Sequence, residues 1–171
     1  MLQDIPIIDN QLEKDLYHRS PYLLLDEVLE IIDSYIVVQK RLIGDEFFFK
    51  GHFPNAPILP GALMQEMTTQ AAGILIARKY NPMGESYDTN SFDLNNPALG
   101  VLSRIKDAKF KSFARPGDLI TVRAELVEKL SNAFEFKATV SKENSSGTKV
   151  IMKNHFLLTN IPSSLLVKDF I

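Results

Sequence analysis

Two side chains, His52 and Glu66, have the residue types and the setting to move protons. Glu66 is the only ionisable residue between Phe53 and Ala77. A carboxyl embedded in so apolar a stretch resists ionisation, so it can remain protonated near neutral pH and donate a proton, unless a cation or several donors lie beside it. Gln70, one helical turn further on, is placed to hydrogen-bond and orient it. His52 follows Gly51 at the start of a segment stiffened by Pro54, Pro57 and Pro60. An imidazole can accept a proton at working pH, and a stiff loop can aim it. Gly61 completes the set: the first amides of a helix have no intrahelical acceptor and can hold negative charge on a substrate carbonyl oxygen, and a glycine lets that group come close. Taken singly, Glu66 reads as a carboxylate favoured by a helix N-terminus and His52 as a loop histidine bound to backbone groups. Together, across one loop-to-helix junction, they favour acid–base catalysis.

Composition narrows the alternatives. The chain has no cysteine and three widely separated histidines, His18, His52 and His155. Disulfides, thiolate nucleophiles and cysteine zinc sites are excluded, and a metal-dependent mechanism is disfavoured. His18, beside Arg19 and ahead of Pro21, reads as shaping the approach to the first strand. His155 falls opposite the apolar series Val150, Met152, Phe156, Leu158 and reads as solvent-facing or interfacial. Nineteen Lys and Arg against 21 Asp and Glu leave a net charge of -2, so no general field favours nucleic acid. The exception is local. Arg104, Lys106, Lys109, Lys111 and Arg115 face only Asp107 in one stretch, which reads as a solvated strand face or as a docking strip for an acidic carrier. Asp4 and a short apolar run argue against an export signal, and no stretch reads as a membrane span, so a cytoplasmic location is expected.

The 171 residues suit one domain, 1–171. Ile7, Ile8, Leu12 and Leu16 predict a short amphipathic helix over about 7–17. Residues 23–32 and 35–43 read as a β-hairpin turning at Asp33 and Ser34. The Phe47, Phe48, Phe49 cluster leads into GHFPNAPILPG, whose two Gly and three Pro make an irregular loop. Pro60 then introduces a central helix, about 61–79, with Arg78 and Lys79 suited to its C-terminal dipole. That helix is apolar nearly all round and must be wrapped by other structure. An irregular insertion covers about 81–98. Four strand-like runs follow, 101–113, 119–130, 133–142 and 148–159, separated by turn signals at 115–118, 131–132 and 143–147 and read as an antiparallel meander. The class is α+β, one long helix packed on a curved antiparallel sheet.

Four segments carry a resemblance to a known family: HRSPYLLLD at 18–26, GHFPNAPILPG at 51–61, EMTTQA at 66–71 and AKFKSFARPGD at 108–118. From Ile7 to Leu158 the chain resembles the β-hydroxyacyl acyl-carrier-protein dehydratases, FabZ type, which adopt the hot-dog fold. The resemblance implies a cofactor-independent lyase of fatty acid biosynthesis. His52 matches the histidine that removes the α-proton of a (3R)-hydroxyacyl thioester. Glu66 matches the acid that protonates the departing hydroxyl, leaving a trans-2-enoyl product. Gly61 matches the amide that binds the thioester carbonyl, with Gln70, Phe53 and Pro60 in support. It also implies acyl carrier protein as partner, and a homodimer, or a hexamer as a trimer of dimers, in which His and Glu come from different subunits. Glu instead of Asp at 66 looks like the branch that dehydrates without isomerising. Asn55 and Ala56 stand where the family commonly has Gly and His, and 81–97 looks longer than usual. A thioesterase on the same fold and a non-catalytic acyl-binding subunit are the rival readings.

Overall fold

Pro60 terminates the loop in an extended conformation (φ -58°, ψ 137°), and the amides of Leu63 and Met64 close onto its carbonyl at 3.0 and 3.1 Å. From that start α3 runs Gly61–Lys79. In this computed structural model, which describes residues 11–90 and 92–167, every residue from Met64 to Ile76 is buried except Glu66. The helix touches all six strands of one sheet, as its all-round apolar surface requires.

The strands are β1 (Glu27–Ile32), β2 (Tyr35–Arg41), β3 (Pro97–Phe110), β4 (Leu119–Leu130), β5 (Ala133–Asn144) and β6 (Gly147–Pro162). They pair antiparallel in the order β1-β2-β4-β5-β6-β3. The hairpin at Asp33 and Ser34 forms as expected, although Leu23 to Asp26 lie outside the ladder. The expected four-strand meander needs correction: β3 pairs with β6 at the far edge, and β2 takes the β4 edge that β3 was expected to fill. The 115–118 turn is therefore part of a crossing connection. Residues 111–118 span three strand spacings, roughly 14 Å, well within the roughly 26 Å reach of eight extended residues. Asp118 anchors its end, accepting from the Arg115 amide, Lys142 and Asn144 at 2.8, 3.0 and 2.9 Å.

Two backbone features set the register. Gly100, at φ +67°, lies in the irregularity between Ala98 and Val101, and a Cβ there would stand 3.2 Å from the Cα of Gly73. Glycine at 100 lets β3 approach α3 closely, while a Cβ at Gly73 would press on Leu16 at 3.1 Å. A bulge between Val140 and Ser141 turns Ile151 and Met152 inward and leaves Val150 36% exposed, so Val150 does not belong to the inner face with Met152.

Of the expected N-terminal helix, 7–10 lie outside the described residues. The described part is α1, Leu12–Asp15, with Leu12 and Leu16 buried and Asp15 paired to Arg78 at 2.7 Å. Among the described residues, the 81–96 stretch carries one 3-10 turn, Gly84–Ser86. Arg19 ties it to the N-terminal segment, donating to the Leu16 carbonyl and the Thr89 carbonyl, both at 2.7 Å.

Candidate active site

The aromatic cluster does not simply run into a loop. Phe47–Gly51 forms a short helix, α2, with Phe48 and Phe49 buried, and the His52 amide closes it onto the Phe48 carbonyl at 3.1 Å. Two left-handed residues then turn the chain, Phe53 at φ +53° and Asn55 at φ +68°. Asparagine is among the non-glycine residues that best tolerate this region, which accounts for Asn55 where the family commonly has glycine. The Leu59 amide binds the Ala114 carbonyl at 2.9 Å, fixing the loop to the chain beyond β3.

These elements enclose a cavity of about 320 Å³ lined by His52, Phe53, Leu59, Gly61, Met64 and Phe110, among others. The Phe110 ring lies where a side chain at position 61 would begin, 3.1 Å from a Cβ built on Gly61. Glycine therefore keeps room between the first helical amides and the ring. His52, Phe53 and Gly61 share this cavity, as the sequence suggested, and Pro60 caps the helix beside it.

Glu66 is not part of that lining. Its carboxyl sits among residues of the segment before β1. Gln70 Nε2 donates to Glu66 Oε1 at 3.0 Å and to the Tyr22 carbonyl at 2.8 Å, while Gln70 Oε1 accepts from the Leu24 amide at 2.9 Å. His18 Nε2 lies 3.4 Å from the same Glu66 oxygen. Burial raises the Glu66 pKa above the ordinary glutamate value, against the opposing effect of the Gln70 hydrogen bond. Burial, aided by the Arg19 charge, lowers that of His18. Sequence reasoning assigned His18 only a shaping role. Its meeting with Glu66 joins parts of the chain with no shared periodicity, and no local signal announces it.

The five basic residues do not share one environment. Lys111 lines the His52 cavity. Lys109 is 69% exposed and 3.4 Å from Asp107. Lys106 pairs at 2.6 Å with Glu135, which also meets His155 on the outer face of the sheet. Arg104 is exposed on β3, and Arg115 lines a separate hollow of about 660 Å³ with Arg41 and Lys142.

A long central helix held against a six-stranded antiparallel sheet is the hot-dog arrangement, and solved structures share it. The ApeI:P dehydratase heterocomplex of Xenorhabdus doucetiae superposes with a TM-score of 0.71 at 18% identity, covering 97% of each chain, which shows the fold. The ApeI-like model, described as ApeI dehydratase, matches residues 30–149. The chain is 33% identical over 144 residues to the 3-hydroxyacyl-(acyl-carrier-protein) dehydratase FabZ of Petrotoga mobilis, covering 83% of this chain and 94% of that one. It is 38% identical over 133 residues to the FabZ of Protochlamydia amoebophila, covering 75% and 76%. The chain belongs to this FabZ and ApeI-like dehydratase family. Among the described residues no helix is long and apolar enough to cross a membrane.

Proposed function

We propose that this protein dehydrates (3R)-hydroxyacyl thioesters on acyl carrier protein to trans-2-enoyl thioesters in fatty acid biosynthesis. Family membership supports the reaction. The observation that carries the site is the cavity that joins His52 to the Gly61 end of α3. The His52 imidazole takes the α-proton, the first amides of α3 hold the enolate oxygen, and Glu66 delivers a proton to the β-hydroxyl. The C–O bond then breaks, the C2–C3 double bond forms and water leaves. Proton return from the imidazolium to the Glu66 carboxylate, through solvent, closes the cycle without an outside reagent.

Glu66 reaches this cavity from a second copy of the chain. β3 is a 14-residue strand paired on one side only, and Leu102, Ile105 and Phe110 on it are 37%, 48% and 51% exposed. A long unpaired edge carrying exposed apolar residues among its charges calls for a partner strand, and a homodimer through β3 is the smallest active unit. The exposed Lys109 and the cavity-lining Lys111 serve as the carrier contact nearest the opening.

The test is hydration of crotonyl thioester and dehydration of its β-hydroxy form, followed by the change in enoyl absorbance. His52→Ala abolishes both; full activity in that variant overturns the assignment. Thiol release with no change in enoyl absorbance selects a thioesterase instead.

A further inference from the structure

We propose that His18 is a positioning residue for Glu66: with Gln70 it holds carboxyl oxygen Oε1, leaving Oε2 as the oxygen that hands its proton to the departing hydroxyl. This rests on the reading of Glu66 as the acid. Oε1 already receives the Gln70 amide at 3.0 Å, and His18 Nε2 stands 3.4 Å from that same atom. The imidazole is held in place by stacking on Tyr22, with ring centroids 5.6 Å apart. Its backbone is held by Arg19, which donates to the His18, Leu16 and Thr89 carbonyls.

The ring's other nitrogen selects the tautomer. Nδ1 is buried with no hydrogen-bond partner among the described residues. A buried N–H without an acceptor is less tolerable than an unpaired lone pair. The neutral ring therefore carries its hydrogen on Nε2, facing Glu66. The depressed His18 pKa keeps the ring a neutral donor, so it does not form a permanent ion pair that would strip the acid of its proton. As the proton leaves Oε2, charge grows on the carboxyl and the Nε2–H···Oε1 contact tightens into a charge-assisted hydrogen bond. The interaction gains strength only as the reaction proceeds, which is what accelerates a chemical step. His18 itself neither gains nor loses a proton.

Among the described residues, the ionisable groups facing Glu66 are His18 and Tyr22 from the segment before β1; Gln70 faces it from α3, and Arg19 acts through His18. The experiment compares His18→Phe, which keeps a ring on Tyr22 but has no donor, with His18→Gln, which returns an N–H near the Nε2 position. Readouts are kcat and KM for a carrier-bound 3-hydroxyacyl thioester across pH, and direct titration of the Glu66 carboxyl carbon by NMR of glutamate-labelled protein. His18→Phe is expected to lower kcat about 10- to 100-fold with KM within about twofold, and His18→Gln to recover most of that loss. The Glu66 carboxyl titrates at higher pH in His18→Phe than in the parent, because the charged form has lost a donor. Unchanged kcat, or a Glu66 titration that does not move upward in a folded variant, overturns the proposal. Should His18→Phe fail to fold, His18→Asn, too short to reach Glu66, must show the same upward shift. A parent protein without dehydratase activity would defeat the functional reading alone; the carboxyl titration would still decide the role of His18.

Discussion

Replacing Gln70 with Met tests whether one buried amide couples the acid to the fold. Gln70 is 1% exposed, and its side chain joins three partners: Glu66 Oε1, the Tyr22 carbonyl and the Leu24 amide. Methionine keeps the length of the side chain and removes all three hydrogen bonds. Leu24 is 3% exposed, so its amide loses its acceptor in a dry environment, at a cost of about 1–3 kcal/mol. Tyr22 is 46% exposed, so its carbonyl turns to water at little cost. Loss of the bond to Glu66 adds about 1 kcal/mol, and the added apolar burial of methionine offsets about as much. The expected loss is about 1–3 kcal/mol, measured by urea unfolding at fixed protein concentration with the parent slope retained. The Glu66 carboxyl rises further in pKa at the same time, since the donor that opposed its burial is gone. A loss below about 1 kcal/mol would show that the Leu24 amide finds another partner, and would refute the reasoning.

Two other perturbations probe the charges. Because the folded Glu66 pKa lies above that of the unfolded chain, the folded state binds the extra proton between the two values, and stability falls as pH rises through that window. Glu66→Gln removes this dependence: unfolding curves from about pH 4 to about pH 8 should show the variant gaining on the parent as pH increases, and a constant difference would count against the raised pKa. Reversing Lys109 and Lys111 to Glu should raise KM for carrier-bound substrate several-fold, with the gap narrowing in salt, while small thioester analogues are handled as before. An equal effect on both substrates would remove the docking role.

The parts of the fold legible in the chain were those governed by local chemistry. Pro60 ahead of sixteen mostly helix-forming residues from Ala62 to Ala77, followed by Arg78 and Lys79, defines α3 with little ambiguity, and the period-two runs of β4 and β5 declare their inner faces. What the chain did not disclose is pairing at a distance. The turn residues at 115–118 look the same whether they close a hairpin or end a crossing connection, and only the competition of β2 for the β4 edge separates the two. Val150 was misplaced because one extra residue in β6, Ile151 opposite Val140 and Ser141, inverts a period-two pattern without leaving a compositional mark.

The site divides along the same line. His52, Gly61 and the loop between them are contiguous, so stiffness and spacing bring them into one cavity. Gln70 is one helical turn from Glu66, and their hydrogen bond follows from helix geometry alone. His18 reaches Glu66 by another route: the segment before β1 is held by Gln70 at Tyr22 and Leu24 and by Arg19 at Thr89. The irregular 81–96 stretch, through Thr89, thus helps set the position of an imidazole beside the acid. A change in that stretch that releases Arg19 should weaken the His18–Glu66 contact while leaving the His52 cavity intact, lowering turnover more than substrate binding. On the proposed mechanism each chain holds the base with its oxyanion amides in one place and the acid with its supports in another, so that only apposition of two copies completes a site.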